Sequence, residues 1–259
     1  MEPSGRLARP AEFIDCGAGK EAEGEVRSAE EEKPESSRVW VEWGQLYEAL
    51  GDDTKAKKSY VQATEVDEDC AKAYEGMSNI LTKEGKSNEA FKLLQKAVKI
   101  SPRNRDRQLK MTRHLLDSGD EEAAREALHK ALEYETDPAA RSAAAAEFFM
   151  ESGRADLAEA EYAFALEADP ENVHYFNRLG LAFRRQKKFR EAIENYRKAN
   201  AIAPDDAVVF YNMAIALAES GDFNQAIGSL RRALVLQPKF PQAEQALKNL
   251  QVKAGQVPA

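Results

Sequence analysis

Cysteine is scarce in this chain: Cys16 and Cys70 are the two in 259 residues, and they form no close motif. That excludes a disulfide framework and suits a reducing compartment. Histidine is equally sparse. His114, His129 and His174 have no His or Cys neighbour at ligand spacing, so no metal site is expected. Long apolar runs are missing too. Nothing approaches the roughly 18 consecutive apolar residues of a membrane span. The opening MEPSGRLARPAEFIDCGAGK has basic residues but no apolar stretch, so no secretory leader is expected, and the expected location is cytoplasmic. Positive charge is not in excess: the net charge is −8 and the pI about 5.2. A general nucleic-acid binder normally carries a strongly basic domain.

Catalytic signals are absent as well. No nucleophile–base arrangement is legible, and the abundant carboxylates read as solvated helix faces. GAGK at 17–20 suggests a phosphate loop, but Ile14 stands where the first glycine belongs and Glu21 where Ser or Thr belongs. No enzyme and no cofactor is expected.

Residues 1–36 have few large apolar side chains, and from Glu21 to Glu35 seven glutamates stand against Arg27 and Lys33. Such a segment has little apolar surface to offset its ordering entropy. The expectation is a disordered acidic tail or linker.

What the chain has in abundance is periodicity. Alanine recurs at Ala56, Ala90, Ala124, Ala158, Ala192 and Ala226, and again at Ala63, Ala97, Ala131, Ala165, Ala199 and Ala233. Both ladders step by 34 residues. Repeat units are therefore set at 37–70, 71–104, 105–138, 139–172, 173–206 and 207–240. Position 8 of the unit is always small, and position 11 is always large. Position 15 is Gly51, Gly85, Gly119, Gly153 and Gly221, with Lys187 as the exception; position 32 is Pro102, Pro170, Pro204 and Pro238 in four units. Large residues at positions 4, 7 and 11 line one face of a first helix, and those at 24, 28 and 30 line a second. Small residues let the two approach closely. Glycine supplies the left-handed turn after the first helix, and proline marks the end of the second. After Pro238, Ala243, Ala246, Leu247 and Leu250 share a face. A capping helix is expected over 241–253, with Pro241 as its first residue, and a flexible end over 254–259.

This grammar resembles the tetratricopeptide repeat family. The best match is FNRLGLAF, with Phe176, Leu179, Gly180 and Phe183, followed by Ala192, Tyr196, Ala199 and Pro204. The resemblance covers about residues 37 to 240. It implies an all-α, right-handed superhelical solenoid of six helix–turn–helix repeats. It also implies that positions 2, 5, 6, 9, 12 and 13 line a concave groove that holds protein partners. The groove residues singled out on that basis are Lys110, Arg113, Asn177, Arg178, Arg184, Arg185, Tyr211 and Asn212. The family's carboxylate clamp for chaperone tails is incomplete: Asn79 stands at a ninth position, but Glu75 occupies the fifth.

The favoured function is a non-enzymatic scaffold that binds a protein or peptide segment with acidic and apolar residues. The alternative is a structural adaptor that uses the convex face or the ends. RNA binding through Lys110, Arg113 and the later arginines ranks below both, so nucleic acid is a disfavoured partner and membrane insertion is not expected. The basic stretch FRRQKKFR at 183–190 divides under the repeat numbering: Phe183 belongs to the core, Lys187 and Lys188 to the turn, and Arg184 and Arg185 to the groove. The units at 105–138 and 139–172 hold Gln108, Ser142 and Ala145 where neighbours have large residues. Both are expected to be the least stable part of the array.

Overall fold

A computed structural model describes residues 19–33 and 35–256. Cys16 and the first two residues of the GAGK stretch lie outside the described residues. Every described element is an α-helix, and no strand occurs among the described residues. The chain divides into two compact units, residues 1–131 and 132–259.

The first unit contains α1 (Gly19–Glu32), α2 (Ser37–Ala49), α3 (Asp53–Val66), α4 (Ala71–Lys83), α5 (Ser87–Ile100), α6 (Arg105–Ser118) and α7 (Glu121–Ala131). From α2 onward, consecutive helices pair into hairpins, and each hairpin packs on the next. The close approach expected at small positions is visible around Tyr60. Its ring lies against Gly44 and Gly76, where a β-carbon would overlap it. Gly51, Gly85 and Gly119 all adopt left-handed φ values, between 76° and 80°. That conformation strains residues with a β-carbon.

Helix α1 corrects the expectation of disorder for Gly19–Glu32; residues 1–18 and 34, which the same expectation covered, lie outside the described residues. Val26 is 3% exposed and packs with Ala29 against Val39, Trp43 and Leu46. The Trp43 indole N–H donates to Glu30 at 3.0 Å. Arg27 lies 3.8 Å from Glu23, one helical turn away. Composition alone undervalued this segment. Two apolar residues three apart suffice when a ready-made apolar surface stands opposite.

The second unit contains α8 (Pro138–Glu151), α9 (Ala155–Ala168), α10 (Val173–Arg185), α11 (Phe189–Ile202), α12 (Ala207–Glu219), α13 (Phe223–Leu236) and α14 (Pro241–Gln256). Phe149, Tyr162 and Tyr196 are completely buried. Tyr196 fills the space beside Gly180, where an added β-carbon would sit 2.6 Å from its ring. Asp137, Asn172, Asp206 and Asp222 cap α8, α10, α12 and α13 through side-chain oxygens that accept first-turn amides. Lys187 takes the left-handed turn that glycine takes elsewhere, at φ 61°. Helix α14 begins at Pro241. It covers the last hairpin through Ala243 and Leu250, against Leu217 and Leu230. It extends to Gln256, so residues 254–256 are helical rather than a loose end. Residues 257–259 lie outside the described residues.

Candidate functional site

The residues expected to line a groove sit on the first helices of the hairpins. In both units these side chains bond mostly to one another. Position 6 of one hairpin meets positions 5 and 9 of the hairpin before it, and position 13 meets position 12.

In the first unit, the Lys110 ammonium lies 2.5 Å from Glu75 and 3.2 Å from the Asn79 carbonyl. Glu75 also accepts from Arg107 Nε at 2.9 Å. Arg107 has only 6% of its side chain exposed, so that pair is shielded from solvent. Lys83 reaches Glu48 at 3.1 Å and Asp53 at 3.6 Å. Glu48 also accepts the Tyr60 hydroxyl at 3.0 Å. Burial pushes the Tyr60 phenol up, and Glu48 beside it pushes the same way. This hydroxyl is therefore a fixed donor. Arg113 is exposed on α6 and already engaged in an interaction.

In the second unit, α8, α10 and α12 carry the equivalent layer. Arg178 forms a two-pronged ion pair with Glu147. Its Nε also lies 3.3 Å from the Tyr162 hydroxyl, which itself donates to Glu147. Burial lowers the Arg178 pKa, and the nearby Arg185 cation lowers it further. An arginine nevertheless stays charged at any relevant pH. Arg184 reaches Glu219 at 3.0 Å. Arg185 spends one hydrogen on the Met150 carbonyl, at 2.7 Å. Asn212 donates its amide to the Asn177 carbonyl at 2.9 Å. Neither amide has a second hydrogen bond among the described residues.

Six of the eight singled-out residues thus join a layer of bonds between successive hairpins: Lys110, Asn177, Arg178, Arg184, Arg185 and Asn212. Tyr211 does something else. It is half-buried, with its ring 5.0 Å from Phe240 and tilted by 45°, inside the cluster under α14. The sequence reading overlooked the carboxylates Glu48, Glu75, Glu147 and Glu219 as partners. Their signal is a spacing of 31 or 35 residues to a cation, visible only when adjacent repeats are compared in register. Exposed or half-exposed pairs of this kind contribute about 0–1 kcal/mol each. Their main effect is to fix side-chain geometry.

Among the described residues, no group of three His, Cys, Asp or Glu is placed to hold a metal ion. No helix there is long and apolar enough to cross a membrane.

Sequence models described as "Tetratricopeptide repeat" match residues 81–148 and 183–258, residues 144–207, and residues 37–70. No curated protein matches the sequence. Among solved structures, the C-terminal part of a TPR repeat-containing protein from Cytophaga hutchinsonii is similar, with a TM-score of 0.56 and 17% identity. That alignment covers 92% of this chain and 98% of the other. A tetratricopeptide repeat protein from Parabacteroides merdae aligns with a TM-score of 0.49 and 14% identity, over 93% of this chain and 96% of that one. A chain of the APC/C hetero-tetramer Cut9–Hcn1 aligns with a TM-score of 0.49 and 17% identity, over 96% of this chain. This chain spans 50% of that longer one.

Proposed function

Because this chain belongs to the tetratricopeptide repeat family, whose repeats generally serve as non-catalytic protein-interaction scaffolds, we propose that it holds a partner segment along the first-helix face of its second unit. One observation carries this reading: the head-to-tail amide pair of Asn177 and Asn212. Such a pair spends one donor and one acceptor on itself. Whichever way the two amides are turned, it keeps one NH2 group and one carbonyl. A peptide group offers the matching carbonyl and N–H, so an extended segment docks here by its main chain. Apolar side chains of that segment meet Leu181 and Ile215, the half-buried ninth positions of α10 and α12. Arg185 is held by a neutral carbonyl rather than a carboxylate, so it supports an acidic side chain. Arg178 and Arg184 already have carboxylate partners and mainly hold the surface in shape.

Selection from a random-peptide display library tests this directly. Peptides selected on the unaltered chain should lose binding to Asn177→Ala and to Asn212→Ala, and keep it to Lys110→Ala. Selected peptides that bind all three variants equally would move the contact off this face, toward the adaptor reading.

A further inference from the structure

Tyrosine stands at position 24 of three hairpins: Tyr60, Tyr162 and Tyr196. All three side chains are buried, so each hydroxyl needs a partner inside the protein. In two hairpins one carboxylate serves both the hydroxyl and a cation. Glu48, at position 12, accepts from the Tyr60 hydroxyl at 3.0 Å and from Lys83 at 3.1 Å. Glu147, at position 9, accepts from the Tyr162 hydroxyl and from Arg178 Nε. The hairpin of α10 and α11 lacks that carboxylate. Leu181 stands at its position 9 and Arg184 at its position 12.

The result is two donors without an acceptor. The Tyr196 hydroxyl is buried and has no hydrogen-bond partner among the described residues, and the same is true of Arg184 Nε. The two groups are neighbours. Burial raises the Tyr196 pKa, and the Arg184 cation opposes that rise more than any other nearby charge. Net charge does not define what is missing: Glu147 balances Arg178, and Glu219 balances Arg184 through another nitrogen, at 3.0 Å. The hydrogen-bond inventory does. An arginine Nε can only donate, and a buried donor left unmet is costly. In both complete hairpins the group that meets a tyrosine hydroxyl and a cation together is a carboxylate.

We infer that the Tyr196 hydroxyl and Arg184 Nε form a subsite for an aspartate or glutamate side chain of the partner segment, which takes the place that Glu48 and Glu147 fill in the other two hairpins. The subsite rests on the second unit's first-helix face being the partner surface. Arg184 is the partly exposed member of the pair, so the carboxylate enters from its side. Asn177 and Arg184 lie seven residues apart on α10, about 10 Å along the helix. An extended segment spans that distance in about three residues.

Two measurements test the subsite. In the free chain, Tyr60→Phe and Tyr162→Phe remove bonded hydroxyls and should each lower the melting midpoint by about 2–4 °C. Tyr196→Phe should leave it unchanged or raise it. An equal loss in Tyr196→Phe would mean that water or Glu219 already supplies the acceptor, and would overturn the inference. The second measurement uses peptides selected on the unaltered chain from a random display library. They should carry an Asp or Glu whose replacement by Asn or Gln weakens binding about tenfold, and several-fold less in Tyr196→Phe. Equal weakening in both chains, or selected peptides that need no acidic residue, would overturn the subsite, while loss of binding in Asn177→Ala would still support the face. Binding that survives Asn177→Ala, or a selection that yields no binder, would count against the face and the subsite with it.

Discussion

The first-helix layers of the two units use the same positions for different ends. In the first unit the layer is ionic and closed. Glu75 serves both Arg107 and Lys110, and Asn79 adds a third contact. In the second unit the layer is mixed and partly open. Ion pairs join Arg178 to Glu147 and Arg184 to Glu219, and a neutral amide pair joins Asn177 to Asn212. A carboxylate shared by two cations leaves little for a partner to bond. A neutral amide pair keeps a donor and an acceptor available. The number of first-helix cations therefore does not give the number of polar groups left open, because most of these cations are already bonded to the neighbouring hairpin. What matters is which polar groups remain after neighbouring hairpins have satisfied each other.

Removing the shared carboxylate should expose this difference most sharply. Glu75→Ala strands Arg107, whose side chain is 6% exposed. It should cost about 3 kcal/mol, because a buried charge loses its partner. Glu147→Ala acts on a pair with 28% and 35% of the side chains exposed, and should cost about 1 kcal/mol or less. Denaturant melts of the two variants, followed by circular dichroism, separate the values. Equal costs would erase the distinction between a closed and an open layer.

The turns offer a smaller contrast. Gly119 ends α6 with φ 80°, while Lys187 holds the equivalent turn after α10 at φ 61°. Lys187→Gly should stabilise the chain by about 1 kcal/mol, and Gly119→Lys should destabilise it by about the same. Both are read as shifts in melting midpoint.

Acid sensitivity is the smallest effect and should appear in both units. The Asp52 carboxyl is held below its ordinary range, first by the Lys55 backbone amide and then by the Lys55 ammonium. The Asp156 carboxyl is lowered chiefly by its hydrogen bond to Arg154. A carboxyl whose folded pKa is depressed contributes fully above its unfolded value, near 4, and the contribution fades as pH falls through the folded one. Stability should therefore be flat from neutral pH to about 5 and decline below 4. Asp52→Asn should make that decline shallower in a pH series of thermal melts.

Much of this architecture is written in the 34-residue ladder. The hairpin pattern, the left-handed turns at Gly51, Gly85, Gly119, Gly153 and Gly221, and the start of α14 at Pro241 follow from spacing and backbone chemistry. Three features do not. Helix α1 depends on Val26 meeting Trp43, a contact outside any repeat. Tyr211 packs on Phe240, which precedes α14 and has no counterpart in the repeat grammar. The pairing of Arg178 with Glu147 is a relation between repeats, whereas positions were read within them.

The units 105–138 and 139–172 also part company. In the first, Gln108 and Thr112 are buried, and Gln108 donates to the Pro102 carbonyl at 2.7 Å. In the second, the large side chains of Phe149 and Tyr162 are completely buried. Low side-chain volume on α8 is thus compensated, while the polar core of α6 is not. The prediction of low stability narrows to α6 and α7, to be read as their faster amide exchange relative to α8 and α9.

The amide pair is the centre of the functional account, and a double-mutant cycle by isothermal titration tests it most directly. The ligand is a peptide selected on the unaltered chain, titrated against Asn177→Ala, Asn212→Ala and the double variant. The account predicts that each single substitution weakens binding about tenfold and that the double variant loses little more, because the two amides act as one unit. Full additivity, or single variants that bind like the unaltered chain, would contradict it.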